Sequence, residues 1–103
     1  MAQKVIAGVT IDVTEEGYLT NPSQWTNDIA AAIAKEEGIE LTEKHTAVLE
    51  FLRDRQQKGE SLTIRSVGNS GIVDIKGFYG LFPGAPMKKA AKIAGIPKPA
   101  SCV

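Results

Sequence analysis

The stretch PMKKAAKIAGIPKPASCV, Pro86 to Val103, decides how the chain is read. Proline suits a first helical position because its missing N–H would be unpaired there in any case, and Gly95 is a left-handed stop after MKKAAKIA. The spacing predicts a helix that buries Met87, Ala90, Ala91 and Ala94, with Ile93 alongside, and leaves Lys88, Lys89 and Lys92 on its other sides. Beyond the glycine, Pro97 and Pro99 hold themselves and the residues before them extended. Residues 96–103 therefore read as a mobile, proline-stiffened arm that carries Cys102 near its tip.

Immediately upstream, GFYGLFPGAP from Gly77 to Pro86 concentrates aromatic residues and glycines and ends in turns at Pro83-Gly84. Phe78, Tyr79, Leu81 and Phe82 are expected to be buried under the C-terminal helix. Between Glu60 and Lys76 the pattern is ambiguous: Leu62, Ile64 and Val67 open a helix or a strand, and Gly68-Asn69-Ser70-Gly71 interrupts either. The GNSG run has the makings of a backbone nest for an anion, but it lacks the rest of a phosphate-loop pattern and reads more simply as a turn.

Further toward the N-terminus, LTEKHTAVLEFLRDRQQKG offers Thr42 as N-cap, Glu43 in the first turn and a broad stripe at Val48, Leu49, Phe51 and Leu52. Arg53, Arg55 and Lys58 fall in the last turns, where a solvated cationic face suits the carbonyl end of a helix. His45 reads as ordinary helical surface. Before this helix, Ser23 or Thr26 caps a second one through NDIAAAIAKEE to Gly38, with Ile29, Ala32 and Ile33 on one face and Trp25 anchoring its entry. The first residues alternate β-branched side chains at Val9, Ile11 and Val13 about a turn at Ala7-Gly8, and a second turn follows at Glu15-Glu16-Gly17. The fold class expected is mainly α: a small helical bundle with an N-terminal β-hairpin and a flexible C-terminal arm, in one domain spanning 1–103.

At 103 residues, 43% of them hydrophobic and 23% charged, the composition is that of one ordinary globular domain, with no apolar run long enough to cross a bilayer. The N-terminus has no secretory pattern, which places the protein in the cytoplasm. One cysteine makes no internal disulfide, and with a single histidine it falls short of a zinc ligand set, so neither a metal nor a cofactor is expected. Formal net charge is zero, which argues against a large nucleic-acid interface. Its distribution is lopsided: all twelve acidic residues lie at or before Asp74, and five lysines with no acid follow. A basic end of this kind can attract an acidic partner.

A thiol on a projecting arm can enter another protein's active site, which suits covalent carriage better than catalysis in a pocket of its own. Neighbouring cations such as Lys98 favour the thiolate and the terminal carboxylate opposes it. Taken alone, a terminal cysteine is more often incidental than functional.

LFPGAPMKKAAKIAGIPKPASCV resembles the terminal signature of the DsrC/TusE family of small sulfur-carrier proteins, penultimate cysteine included. TEEGYL (Thr14 to Leu19), Trp25, and GIELTEKH followed by LEFLRD extend the resemblance over nearly the whole chain. It implies that Cys102 carries sulfur as a persulfide, taken from a donor complex and passed to an acceptor protein of the tRNA-thiolase or sulfite-reductase type. It also implies a partner-binding role for the lysines matching Lys89, Lys92 and Lys98. The dissimilatory branch has a second cysteine eleven places upstream, and here that position is Ala91, so the resemblance is to the single-cysteine form. Two departures are Thr46, where the family has tryptophan, and the Gly-rich stretch from Val67 to Lys76. Two other readings follow from the same likeness: a regulatory or DNA-binding protein built on a helix-turn-helix-like part, and an accessory subunit whose arm enters a reductase. The absence of an Arg/Lys-rich recognition helix counts against DNA.

Overall fold

The computed structural model describes residues 2–60 and 63–97. Two strands, β1 (Ala2–Ile6) and β2 (Val9–Val13), pair antiparallel in the register Ala2 to Val13 and Ile6 to Val9. The turn sits at Ala7-Gly8 as expected, with φ of 51° and 79°, the doubly left-handed geometry that matches the twist of a two-residue hairpin. Period-two alternation sends Ile11 and Val13 into the core and Val5, opposite Thr10, out; Val9 shares the face of Ile11 and is exposed beside the turn. The chain reverses at Gly17, where Thr14 N–H bonds Tyr18 O at 2.8 Å, and Leu19 returns alongside Val13.

A single 3₁₀ turn over Pro22–Gln24 leads to α1 (Asn27–Glu36), which is capped by Thr26: its hydroxyl accepts the Ile29 N–H at 3.2 Å. Helix α1 buries Ile29, Ala30, Ile33 and Ala34, and Gly38 closes it with φ 74°. Helix α2 (Glu43–Gln57) buries His45, Val48, Leu49 and Leu52, an i, i+3, i+4, i+7 stripe. Two short helices follow, α3 (Ile64–Gly68) and α4 (Ile75–Leu81), then α5 (Pro86–Ala94) with Pro86 in its first turn. Helix α5 packs on α1 and α2, α3 packs on α4, and the hairpin leans on α1, where Lys4 and Glu36 pair at 2.9 Å.

The mainly helical class with an N-terminal hairpin is what the sequence predicts. The core runs through Ile11, Leu19, Ile29, Ile33, Leu49, Leu52, Phe78, Phe82, Met87 and Ile93, all 2% exposed or less. Burying side chains of this size contributes about 1.5–3 kcal/mol each.

Two readings are corrected, one left open is resolved, and the turn expected at Gly68–Gly71 is present. The ambiguous stretch after Glu60 is helical from Ile64, with Thr63 and Ser66 forming a reciprocal cap; Leu62 lies outside the described residues. The Gly68–Gly71 run is a turn whose amides bond inward, Asn69 N–H to Arg65 O at 3.0 Å and Ser70 N–H to Val67 O at 3.1 Å. This leaves little of a nest for an anion. Tyr79, expected in the core, is 40% exposed, because Phe78 and Phe82, one helical turn apart, take the inward face at the end of α4 and Tyr79 lies off that face.

His45 is the second correction. It is 6% exposed, not surface. Its Nε2 lies 2.8 Å from Leu81 O, a carbonyl that can only accept, so Nε2 holds the proton and Nδ1 accepts from the Thr42 N–H at 3.2 Å. The ring also stands edge-on to Phe82, with centroids 5.1 Å apart.

Candidate functional site

The described part of the site is the root of the arm, where α5 ends. Any α-helix leaves its last four carbonyls without an intrahelical partner. In α5 these belong to Ala91, Lys92, Ile93 and Ala94, and each has an acceptor role filled. Gly95 is left-handed at φ 70°, which lets its N–H bond Lys92 O at 3.3 Å and the Ile96 N–H bond Ala91 O at 3.2 Å. That is the double backbone closure of a glycine-terminated helix, and it places Ile96 in the core at 1% exposure. The remaining two carbonyls are taken by side chains. Trp25 donates its indole N–H to Ile93 O at 2.8 Å, and Arg53 donates from one terminal nitrogen to Ala94 O at 2.8 Å.

These two side chains also hold each other. The Arg53 guanidinium carbon sits 4.3 Å from the centroid of the Trp25 ring, in the stacking geometry that favours a planar cation on an indole face. Partial burial lowers the Arg53 pKa from its ordinary value, and it remains a cation at neutral pH. Trp25 leaves no room at the glycine. A Cβ on Gly95 would stand 2.4 Å from the indole Cδ1 and 2.8 Å from Cγ. Residue 95 is therefore glycine for two reasons, its backbone angle and its neighbour.

Of the residues singled out from sequence, Lys89 and Lys92 lie half-buried on α5. Lys92 pairs with Glu37 of α1 at 3.0 Å, tying the two helices together. With Lys88, Glu16 and Tyr18 these groups line a depression of about 120 Å³. Ala91 is fully buried on the core face. Lys98 and Cys102 lie outside the described residues. Among the described residues no three His, Cys, Asp or Glu side chains are gathered as a metal set would require, and no helix is long and apolar enough to cross a membrane.

Arg53 is the residue that sequence reading missed. Its place in the last turns of α2 suggests a solvated cationic face, but the side chain is half-buried. A signal was present: Arg53 lies four residues after the buried Leu49 and next to Leu52, on the border of the apolar stripe, where a long side chain lies along the core and brings its charge to a buried helix end. Trp25 was read as an anchor of the α1 entry and does pack against the core, but its partner, 68 residues away, was not foreseen.

Residues 5–103 match the family model described as DsrC like protein. The sulfurtransferase TusE homolog of Haemophilus influenzae is 39% identical, over 95% of this chain and 97% of its own length. Sulfurtransferase TusE of Escherichia coli K12 is 36% identical, over 96% and 98%. Among solved structures, the oxidized gamma-subunit of the dissimilatory sulfite reductase (DsrC) from Archaeoglobus fulgidus superposes with a TM-score of 0.83 at 32% identity, covering 99% of this chain and 100% of that one. With a family match that runs from β1 through the helix that roots the arm, and relatives this similar along their whole length, the chain belongs to the DsrC-like family.

Proposed function

We propose that this protein is a sulfur carrier, with the Sγ of Cys102 as the atom that bears the sulfur and residues 96–103, anchored at the buried Ile96, as the arm that delivers it. The observation that carries the reading is near-full-length similarity to proteins named sulfurtransferases, over a matched region that includes Cys102. The Cys102 thiolate attacks the outer sulfur of a donor persulfide; the donor S–S bond breaks and the donor leaves as its thiolate. Cys102 then holds a persulfide, and no net oxidation or reduction has occurred. In the second step an acceptor attacks that outer sulfur and the Cys102 thiolate is released. The activating surroundings come from the partner, since a thiol gains reactivity from a base or a cation beside it.

Cys102 is the one cysteine in the chain, and the position eleven residues upstream is the buried Ala91. Sulfur bound at Cys102 thus has no second thiol within the chain to close upon, and the carrier must hand it to another molecule. The partners proposed are a donor complex and an acceptor of the tRNA-thiolase or sulfite-reductase type, approached through Lys89, Lys92 and Lys98.

Incubation with a persulfide donor followed by intact-mass measurement is expected to add one sulfur atom to the wild type and none to Cys102→Ser. A wild-type chain that gains no sulfur, or a serine variant that gains as much, overturns the reading.

A further inference from the structure

We infer that Trp25 and Arg53 are positioning residues for sulfur transfer: by taking the last two carbonyls of α5 they fix the direction in which the arm leaves the domain. The inference rests on the carrier reading above. The end of α5 is buried, with Ile93 and Ala94 at 0% exposure, so its last carbonyls need partners from the protein rather than from water. Here Ala91 and Lys92 are closed by backbone, and the two carbonyls nearest the arm receive an indole N–H and a guanidinium N–H, each at 2.8 Å, from residues of two other segments. The two donors are stacked on each other, and the glycine between helix and arm has no free space on the indole side. With Ile96 buried, the last turn, the glycine and the first residue after it form one rigid block from which Pro97 emerges exposed.

Rigidity at this point matters through leverage. Six residues separate Ile96 from Cys102, a span of at most about 20 Å when fully extended. For an arm held extended as Pro97 and Pro99 predict, an angular play of about 10° at the root would displace its tip by about 3.5 Å, whereas a displacement of only about 1 Å can cost roughly a hundredfold in rate. A partner that must receive the arm in a narrow site would otherwise have to supply the ordering itself on binding.

The test uses full-length Trp25→Phe, which keeps the ring and removes the N–H, and Arg53→Lys, which keeps the charge and loses the planar fork. Both are compared with wild type well below their melting temperatures, with folding checked by circular dichroism. Sulfur acceptance is measured from two donors: persulfidated rhodanese, a protein, and sodium tetrasulfide, a small ion. A nitroxide label on Cys102, read by electron paramagnetic resonance, gives arm order without any transfer. Both variants are expected to accept sulfur from the protein donor about fivefold more slowly or worse in kcat/KM, because the arm must now be ordered on docking. Acceptance from tetrasulfide, set by the thiol itself, changes by less than about twofold. The label is expected to become more mobile in each variant.

Loss of stability alone would not separate the two donors. Equal rates with both donors together with an unchanged label spectrum overturn the inference and leave the pair as an ordinary helix cap. If the wild type takes sulfur from neither donor while the label loosens in both variants, the carrier reading fails and the positioning pair stands.

Discussion

Single residues in this domain carry more than their type suggests, and His45 shows it most clearly. Its side chain occupies the position where a capping box ordinarily has glutamate or glutamine, and it closes the first turn of α2 while reaching across to Leu81 O at the end of α4. Replacing it by alanine removes an acceptor for Thr42 N–H, takes the imidazole donor from the part-buried Leu81 carbonyl and opens a space beside Phe82. His45→Ala is expected to cost about 2–3 kcal/mol, seen as a lower urea midpoint at unchanged slope. His45→Gln, which still reaches the Thr42 N–H, should recover part of that; a loss under about 0.5 kcal/mol for the alanine would mean the contacts carry little net energy. Ala7 poses the opposite case. It is the non-glycine residue with positive φ among those described, 51°, at the first position of the hairpin turn. Ala7→Asn creates the Asn-Gly pair that this turn prefers and should raise stability by about 0.5–1 kcal/mol, read as a higher thermal midpoint. A midpoint that falls would place the strain elsewhere.

At the scale of elements, long periodic helices were legible and short glycine-containing ones were not. The caps at Thr26 and Thr42, the stripes of α1 and α2, and the Pro86 to Gly95 limits of α5 follow from spacing and end chemistry that act within a few residues. Helix α4 escaped because it holds Gly77 and Gly80 in seven residues, and glycine is the weakest ordinary helix former. What overrides propensity is tertiary: Asp74 caps the first turn by accepting the Gly77 N–H at 2.6 Å, and Phe78 and Phe82 are driven into the core at 0% exposure. The two glycines are not equivalent. A Cβ on Gly80 would meet nothing within 4 Å, whereas one on Gly77 would stand 3.0 Å from the capping oxygen of Asp74. Gly80→Ala should therefore stabilise the domain by about 0.5–1 kcal/mol, while Gly77→Ala gains less or loses because the cap must shift. Denaturant midpoints ordered the other way would show that α4 is held by something other than its cap.

At the scale of the whole molecule, the element list could be read from the chain but the meeting of Trp25, Arg53 and the end of α5 could not, since those contacts join residues 68 and 41 positions apart. Local periodicity says which face is buried and is silent on which helix end that face will meet. Charge is the exception, because its uneven distribution along the chain survives folding. The five lysines that follow Asp74 have no acid among them, and three of them lie on α5, the helix that leads into the arm. Their environments differ. Lys92 is engaged with Glu37 at 3.0 Å, with both side chains about a quarter exposed at 25% and 24%, so its reversal removes an internal tie as well as a surface charge. If this end steers an acidic partner, Lys89→Glu should slow association by about three- to tenfold at low salt, and the difference from wild type should shrink toward physiological ionic strength and beyond. Lys35→Glu, the same charge reversal on an exposed residue of α1, serves as the control for net charge. Lys92→Glu should add a lowered melting temperature to any rate effect, whereas Lys89→Glu should leave it near the wild-type value. On-rates measured against the protein that supplies or receives the sulfur decide the matter: equal slowing by the reversals at Lys35 and Lys89 would mean that only total charge counts, and that the basic end does not direct docking.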